Sequence, residues 1–198
     1  MKKTAVLFIL LLLLSGISFA SLPDANIEAN RLDIFYGSGY NLGWIGYISP
    51  DKSYWQGMSI NYSANETEAF GIGYHYYESP EDYSSGSTTI YDLYYNLQFA
   101  DEDENKFVNA SLLTGAWIIK GPVTLLTVGD KDIITLNNVF LLELGICLSK
   151  NLIGDWLIGR CNIVYGPSMG LELGIKPSEN FEFTVGYESH WYGIKVTI

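Results

Sequence analysis

Five acids, Asp92, Glu143, Glu172, Glu182 and Glu188, each occupy the polar place of a run in which alternate residues are apolar. Arg160, Lys195 and His75 occupy the same kind of place. An alternation of this period puts the two sets on opposite faces of a strand, so the eight polar groups share one side of whatever sheet the runs build. Two chemistries follow. Charges removed from water persist when they are paired and hydrogen-bonded, which makes the set an ion-paired filling. If water threads between the groups, the excess of acid instead lines a narrow path that favours cations.

Other chemistry is poorly provided for. The stretch "ESH", Glu188 to His190, sets an acid, a hydroxyl and an imidazole side by side, but on a strand Ser189 points away from both neighbours and offers them no hydrogen bond unless a turn reorients it. No catalytic residue is expected, and a lipid-acting enzyme is the least favoured function. Two histidines and two cysteines far apart in sequence lack metal-ligand spacing, and the acidic turn "DEDEN" lacks the spaced carboxylates and glycine of a calcium loop. No metal and no cofactor are expected. Cys147 keeps step with Glu143, whereas Cys161 keeps step with Leu157 and Ile163, so the two thiols fall on different faces and do not form a directly opposed cross-strand pair.

The elements that must position these groups begin after residue 20. "MKKTAVLFILLLLLSGISFA" has two lysines, an apolar run from Ala5 to Leu14, and small residues at Ser18 and Ala20, which reads as an export signal cut after Ala20. Without Lys2 and Lys3 the chain keeps nine basic residues against 22 acids, a formal charge of −13 that disfavours nucleic acid. The remainder, 21–198, suits a single domain.

That remainder has almost no helical period. Its runs include "YNLGWIGYIS", "YWQGMSINYS", "EAFGIGYHYYE", "TTIYDLYYNLQF", "KFVNASLLTGAWII", "NVFLLELGICL", "SMGLELGIK" and the two runs of "NFEFTVGYESHWYGIKVTI". Each alternates, and turn residues separate them. "DWLIGRCNIVY" is ambiguous, because Arg160 and Asn162 share a face with Trp156, Ile158 and Val164. With it the count is ten, and "NRLDIFYG" is an eleventh candidate that either pairs with the end of the chain or continues into "YNLGWIGYIS"; eight or twelve strands are also compatible. Taken alternately, the connections form a compact set ("PSEN", "SKNLIGD", "DEDEN", "SANE") and a set holding the two longest, 121–135 and "SPEDYSSGS". The 121–135 loop, with Val123, Leu125, Leu126 and Val128, reads as a protruding β-ribbon suited to an extracellular partner.

The polar faces decide which side is the inside. They carry Gly, Ser, Asn and Thr where a water-soluble barrel would carry Lys and Glu, while the apolar faces collect Tyr, Trp and Phe near strand ends. Runs of nine or more residues match the roughly 9–11 that a tilted strand needs to cross a bilayer. The expected fold is all-β, an antiparallel up-and-down transmembrane β-barrel of about ten strands. A soluble barrel with its apolar faces inward, binding an apolar ligand, is the alternative.

In this pattern the chain resembles the small outer-membrane β-barrel proteins of bacteria with a two-membrane envelope. Their last strand carries a signal for the barrel-assembly machinery, and Gly193, Val196 and Ile198 stand in its places, with Ile198 where an aromatic residue is usual. The resemblance implies an outer-membrane location, with membrane lipid and the assembly machinery as partners. A structural, adhesive or surface-interaction role is expected, and a narrow pore is the alternative.

Overall fold

The computed structural model describes residues 23–41, 53–78, 87–105, 107–128, 131–164, 168–186 and 191–198, with backbone alone at 40–41, 53, 55, 104–105, 122–128, 131–136, 164, 168–169 and 191. Residues 1–22 with the expected export signal, most of "YNLGWIGYIS", and "ESH" with Glu188 lie outside the described residues.

Among the described residues, the alternating runs form strands. In chain order they are β1 (Arg31–Asn41), β2 (Ser53–Ser63), β3 (Glu68–Glu78), β4 (Ser87–Ala100), β5 (Asn109–Val128), β6 (Lys131–Ile153), β7 (Leu157–Val164), β8 (Ser168–Ser178), β9 (Phe181–Gly186) and β10 (Trp191–Thr197). "DEDEN" folds as one helical turn, Glu102–Asn105, in which the Asp101 carboxylate accepts the Asp103 N–H at 2.8 Å. No helix among the described residues is long and apolar enough to cross a membrane.

Every strand is antiparallel to its neighbours, and the ten described strands close into a barrel through β1 and β10. The first strand is therefore "NRLDIFYG" extended to Asn41, not "YNLGWIGYIS". It meets the last strand with Ile34 opposite Val196 and Gly37 opposite Gly193, and Leu32 and Ile198 exchange both backbone hydrogen bonds at 3.0 and 2.9 Å. The apolar chain end is thus a paired edge, which removes the free template an open sheet would present. The compact connections all lie at the end of the barrel that holds Arg31 and Ile198, and the longer ones lie at the opposite end.

Side-chain exposure follows the register. Residues such as Phe70, Ile72, Leu93, Leu144, Leu173 and Val185 are about half exposed on the outer wall, and Leu142 is 78% exposed. Their sequence neighbours Asp92, Glu143, Glu172 and Thr184 are buried. Large apolar groups outside and charges inside reverse the plan of a water-soluble barrel and form the wall of one that crosses a bilayer. The soluble alternative, with its apolar faces turned inward, is overturned by this arrangement.

The interior has two differently filled sides. Against β4, β5 and β6 lie Ile90, Tyr94, Leu113, Trp117, Ile119 and Cys147 in one apolar cluster. Large apolar residues join the small polar and charged ones expected on the inner faces: Leu113, Trp117 and Ile119 point inward on the same face as Ser111. Against β7, β8, β9 and β10 the lumen is charged. The ambiguous run resolves with Ile158, Arg160 and Asn162 inward and Ile163 outward. Cys147 and Cys161 form no disulfide; Cys147, opposite Asn162, is fully buried, whereas Cys161, opposite Leu148, lies on the other face of the wall.

Candidate functional site

Arg160 is the hub of the charged side. Its register partners place it between Ser149 on β6 and Glu172 on β8, and its side chain has no solvent exposure. One guanidinium nitrogen, Nη1, donates to Glu172 Oε1 at 2.7 Å and also to Glu182 Oε1. Nη2 donates to Glu182 Oε2 at 2.9 Å and to Asp24 Oδ2 at 2.8 Å, and Nε donates to the same Asp24 oxygen at 3.1 Å. Lys195, reaching across from β10, lies 3.1 Å from Glu182 Oε2 and 3.5 Å from Asp24 Oδ2. A planar fork with five N–H donors makes all five of these contacts to three carboxylates, two more than the three N–H groups of a lysine could make.

Glycine makes room for this network. A Cβ on Gly174 would stand 1.9 Å from Glu182 Oε1 and 2.8 Å from Arg160 Nη1, so the ion pair occupies the space above a residue with no side chain. Gly193 plays the same part for β1. Its missing Cβ would meet the Phe35 ring at 2.3 Å, and that ring, 2% exposed, packs across the β1–β10 seam. Of the three places of the proposed assembly signal, the glycine therefore points into the barrel while Val196 and Ile198 are exposed on the outer face.

Asp24 belongs to no strand. The segment 23–30 precedes β1 and folds back into the lumen through a turn at Asn30, whose φ of 59° is left-handed, a conformation asparagine tolerates. The Asn30 N–H donates to the Ser63 carbonyl at 2.9 Å, tying the turn to the barrel's end. Beyond it, Ile27 N–H donates to Gln98 Oε1 and the Asp24 carbonyl accepts from Asn96 Nδ2, both at 2.8 Å. Ala25 is fully buried within the apolar cluster. The segment therefore lies between the two sides of the lumen, with a methyl group on one and a carboxylate on the other. Burial alone would raise the Asp24 pKa, but Arg160, then Lys195 and Arg31, outweigh it and hold the carboxyl well below the usual carboxylate range.

Near the end of the barrel that holds Ile198, Arg31 donates from Nε to Asp33 Oδ1 at 2.8 Å and meets Glu28 at 3.0 Å, and the Thr197 hydroxyl donates to the same Asp33 oxygen at 2.6 Å. His75, Asp92 and Glu143 are buried on β3, β4 and β6. A Cβ on Gly73 would lie 2.9 Å from His75 Nε2 and 3.7 Å from Asp92 Oδ2, which sets imidazole and carboxylate over the same glycine. Among the described residues no group of three or more His, Cys, Asp or Glu side chains is placed to hold a metal ion.

The described lumen candidates thus all reach the interior, and the structure gathers Arg160, Glu172, Glu182 and Lys195 into one network apart from His75, Asp92 and Glu143. Sequence reasoning missed Asp24, Asn96 and Gln98 as a set. Asn96 and Gln98 carried the usual alternation, but "PDAN" has no period that would send it indoors.

No protein-family model matches the chain, and no curated protein matches it. Two solved structures are similar in outline. Neisserial surface protein A (NspA) is 12% identical with a TM-score of 0.34, the match covering 84% of this chain and 90% of that one. The translocator domain of the autotransporter NalP from Neisseria meningitidis is 11% identical with a TM-score of 0.37, covering 88% of each chain. At these values the likeness carries no functional inference, and the reading of the chain as a closed membrane-type barrel rests on its own ladder and exposure pattern.

Proposed function

We propose that this is an exported outer-membrane barrel, its leader removed after Ala20, that works at the cell surface by presenting the β5–β6 ribbon to a partner. The observation that carries the reading is the unequal length of the strands. β4 pairs with β5 only as far as Lys120, and β7 pairs with β6 only from Gly145, while β5 and β6 continue to pair with each other as far as Val128 and Lys131. A two-stranded ribbon of that kind offers backbone donors and acceptors along both edges, the surface that strand addition uses. It lies at the end opposite Arg31 and Ile198, and outer-membrane barrels carry their extracellular loops at the end away from the short turns.

A filled lumen supports a closed barrel over the pore alternative, because the ion-paired network and the apolar cluster leave no described continuous row of solvated charges. The test is replacement of residues 122–136 by a short turn. Cells expressing the full chain and cells expressing the replaced chain are compared for adherence to collagen-coated and bare polystyrene surfaces. The expected result is an unchanged heat-dependent gel shift with adherence lost; adherence retained with the ribbon gone refutes the reading.

A further inference from the structure

We propose that the lumen is a binding site for a short, bent peptide with an acidic side chain, and that residues 23–27 of the chain itself, which bend at Ala25 and Asn26, are its resident ligand. The contacts are those of a ligand in a site. The segment adds nothing to any ladder of the barrel, and it is held instead by wall side chains that read its backbone and its one carboxylate. Asn96 donates to the Asp24 carbonyl, Gln98 accepts from the Ile27 N–H, and Arg160 and Lys195 take the carboxylate. Ala25 fits where the apolar cluster has room for a methyl group.

The wall is complete without the segment. All ten strands pair around the ring, so withdrawing the segment breaks no backbone pairing of the sheet. Without Asp24, two cations, Arg160 and Lys195, still face two anions, Glu172 and Glu182, and the donors that Asp24 engages, Arg160 Nε among them, are aimed at the vacated place. Such a site selects a carboxylate over a neutral side chain of the same shape, because the buried donors retain their charge. The ligand enters from the end holding Arg31 and Ile198, since the segment joins the barrel there through Asn30.

The test uses detergent-extracted protein and two labelled synthetic peptides. One is residues 21–30, SLPDANIEAN, and the other is the same peptide with Asp24→Asn. A variant deleted for residues 23–29 is expected to bind the acidic peptide saturably by fluorescence anisotropy and the neutral one about thirtyfold or more weakly. The full chain, its site filled, binds neither. A deleted variant that keeps its heat-dependent gel shift and binds no peptide, or binds both alike, overturns the proposal. Should the deletion prevent assembly, Asp24→Asn in a full-length Cys161→Ser background answers the same question. Loss of the latch is expected to speed modification of Cys147 by a charged thiosulfonate about tenfold or more relative to Cys161→Ser alone. Equal rates overturn the proposal.

Discussion

Arg160→Met is the sharpest perturbation of the interior. The side chain is wholly buried, and its loss removes donors from three carboxylates at once: Glu172 at 2.7 Å, Asp24 at 2.8 Å and Glu182 at 2.9 Å. Lys195 remains for two of them, at 3.1 Å from Glu182 and 3.5 Å from Asp24. Breaking a buried pair by deleting one partner costs about 3–5 kcal/mol, chiefly because the other charge is left uncompensated. Since protonation of one acid relieves part of that burden, the three losses do not add, and about 3–5 kcal/mol is the expected total. Urea unfolding of protein folded into lipid vesicles, followed by tryptophan fluorescence, measures it. The reasoning also fixes the rescue. Arg160→Met combined with Glu172→Gln and Glu182→Gln removes the stranded charges and is expected to recover most of the loss, whereas Arg160→Lys, lacking the fork, recovers little. A single variant within about 0.5 kcal/mol of the parent, or a triple variant no better than the single, refutes the network as a stabilising unit.

Three further outcomes follow from the same geometry. Gly174→Ala puts a methyl group where Glu182 and Arg160 meet, so unfolding in vesicles is expected to cost about 1–3 kcal/mol, and much less once Glu182→Gln and Arg160→Met have emptied the place. Gly193→Val drives into the Phe35 ring and, at 2.9 Å, towards the Tyr36 carbonyl oxygen, and is expected to destabilise the β1–β10 seam by about 1–3 kcal/mol; Phe35→Ala in the same chain recovers the part due to the ring, and no recovery refutes the ring contact as a cause. Because the Asp24 pKa is depressed in the folded protein, the latch contributes its full stability above the ordinary carboxylate pKa and loses it as pH falls through the lower folded value. Planar-bilayer recordings are therefore expected to stay closed from neutral pH down to about 4 and to open only below it; opening near pH 6 contradicts the assignment.

How much of this was legible in the sequence depended on whether a residue's face was set locally. Strand period and the shared face of Glu143, Glu172, Glu182 and Lys195 followed from alternation, because a pleated strand leaves no other choice, and the small polar residues of that face marked it as the inner one. The large inward residues Leu113, Trp117 and Ile119 did not follow, since hydrophobicity alone assigns them to the lipid side. Arg160 was placed on the inner face although its run was ambiguous, with apolar Ile158 on the same face, and the ion-paired partners on β8 and β9 explain why the charge is the one turned inward. "NRLDIFYG" was recognised as a strand but not as the first of ten, because closure is a property of the ring. The destination of residues 23–27 lies beyond any local signal: a short aperiodic peptide is placed by side chains at Asn96, Gln98, Arg160 and Lys195, far along the chain.

The account's central claim is that the barrel is turned inside out, with charge within and apolar surface facing lipid. Nitroxide labels placed singly at 171–175 in vesicle-folded protein test it most directly, reading collision with lipid-soluble oxygen against collision with a water-soluble nickel chelate. The prediction is an alternation in which Leu171, Leu173 and Ile175 meet oxygen and Glu172 and Gly174 do not. Nickel accessibility at Leu171, Leu173 and Ile175 would put water on the outer face and contradict the claim.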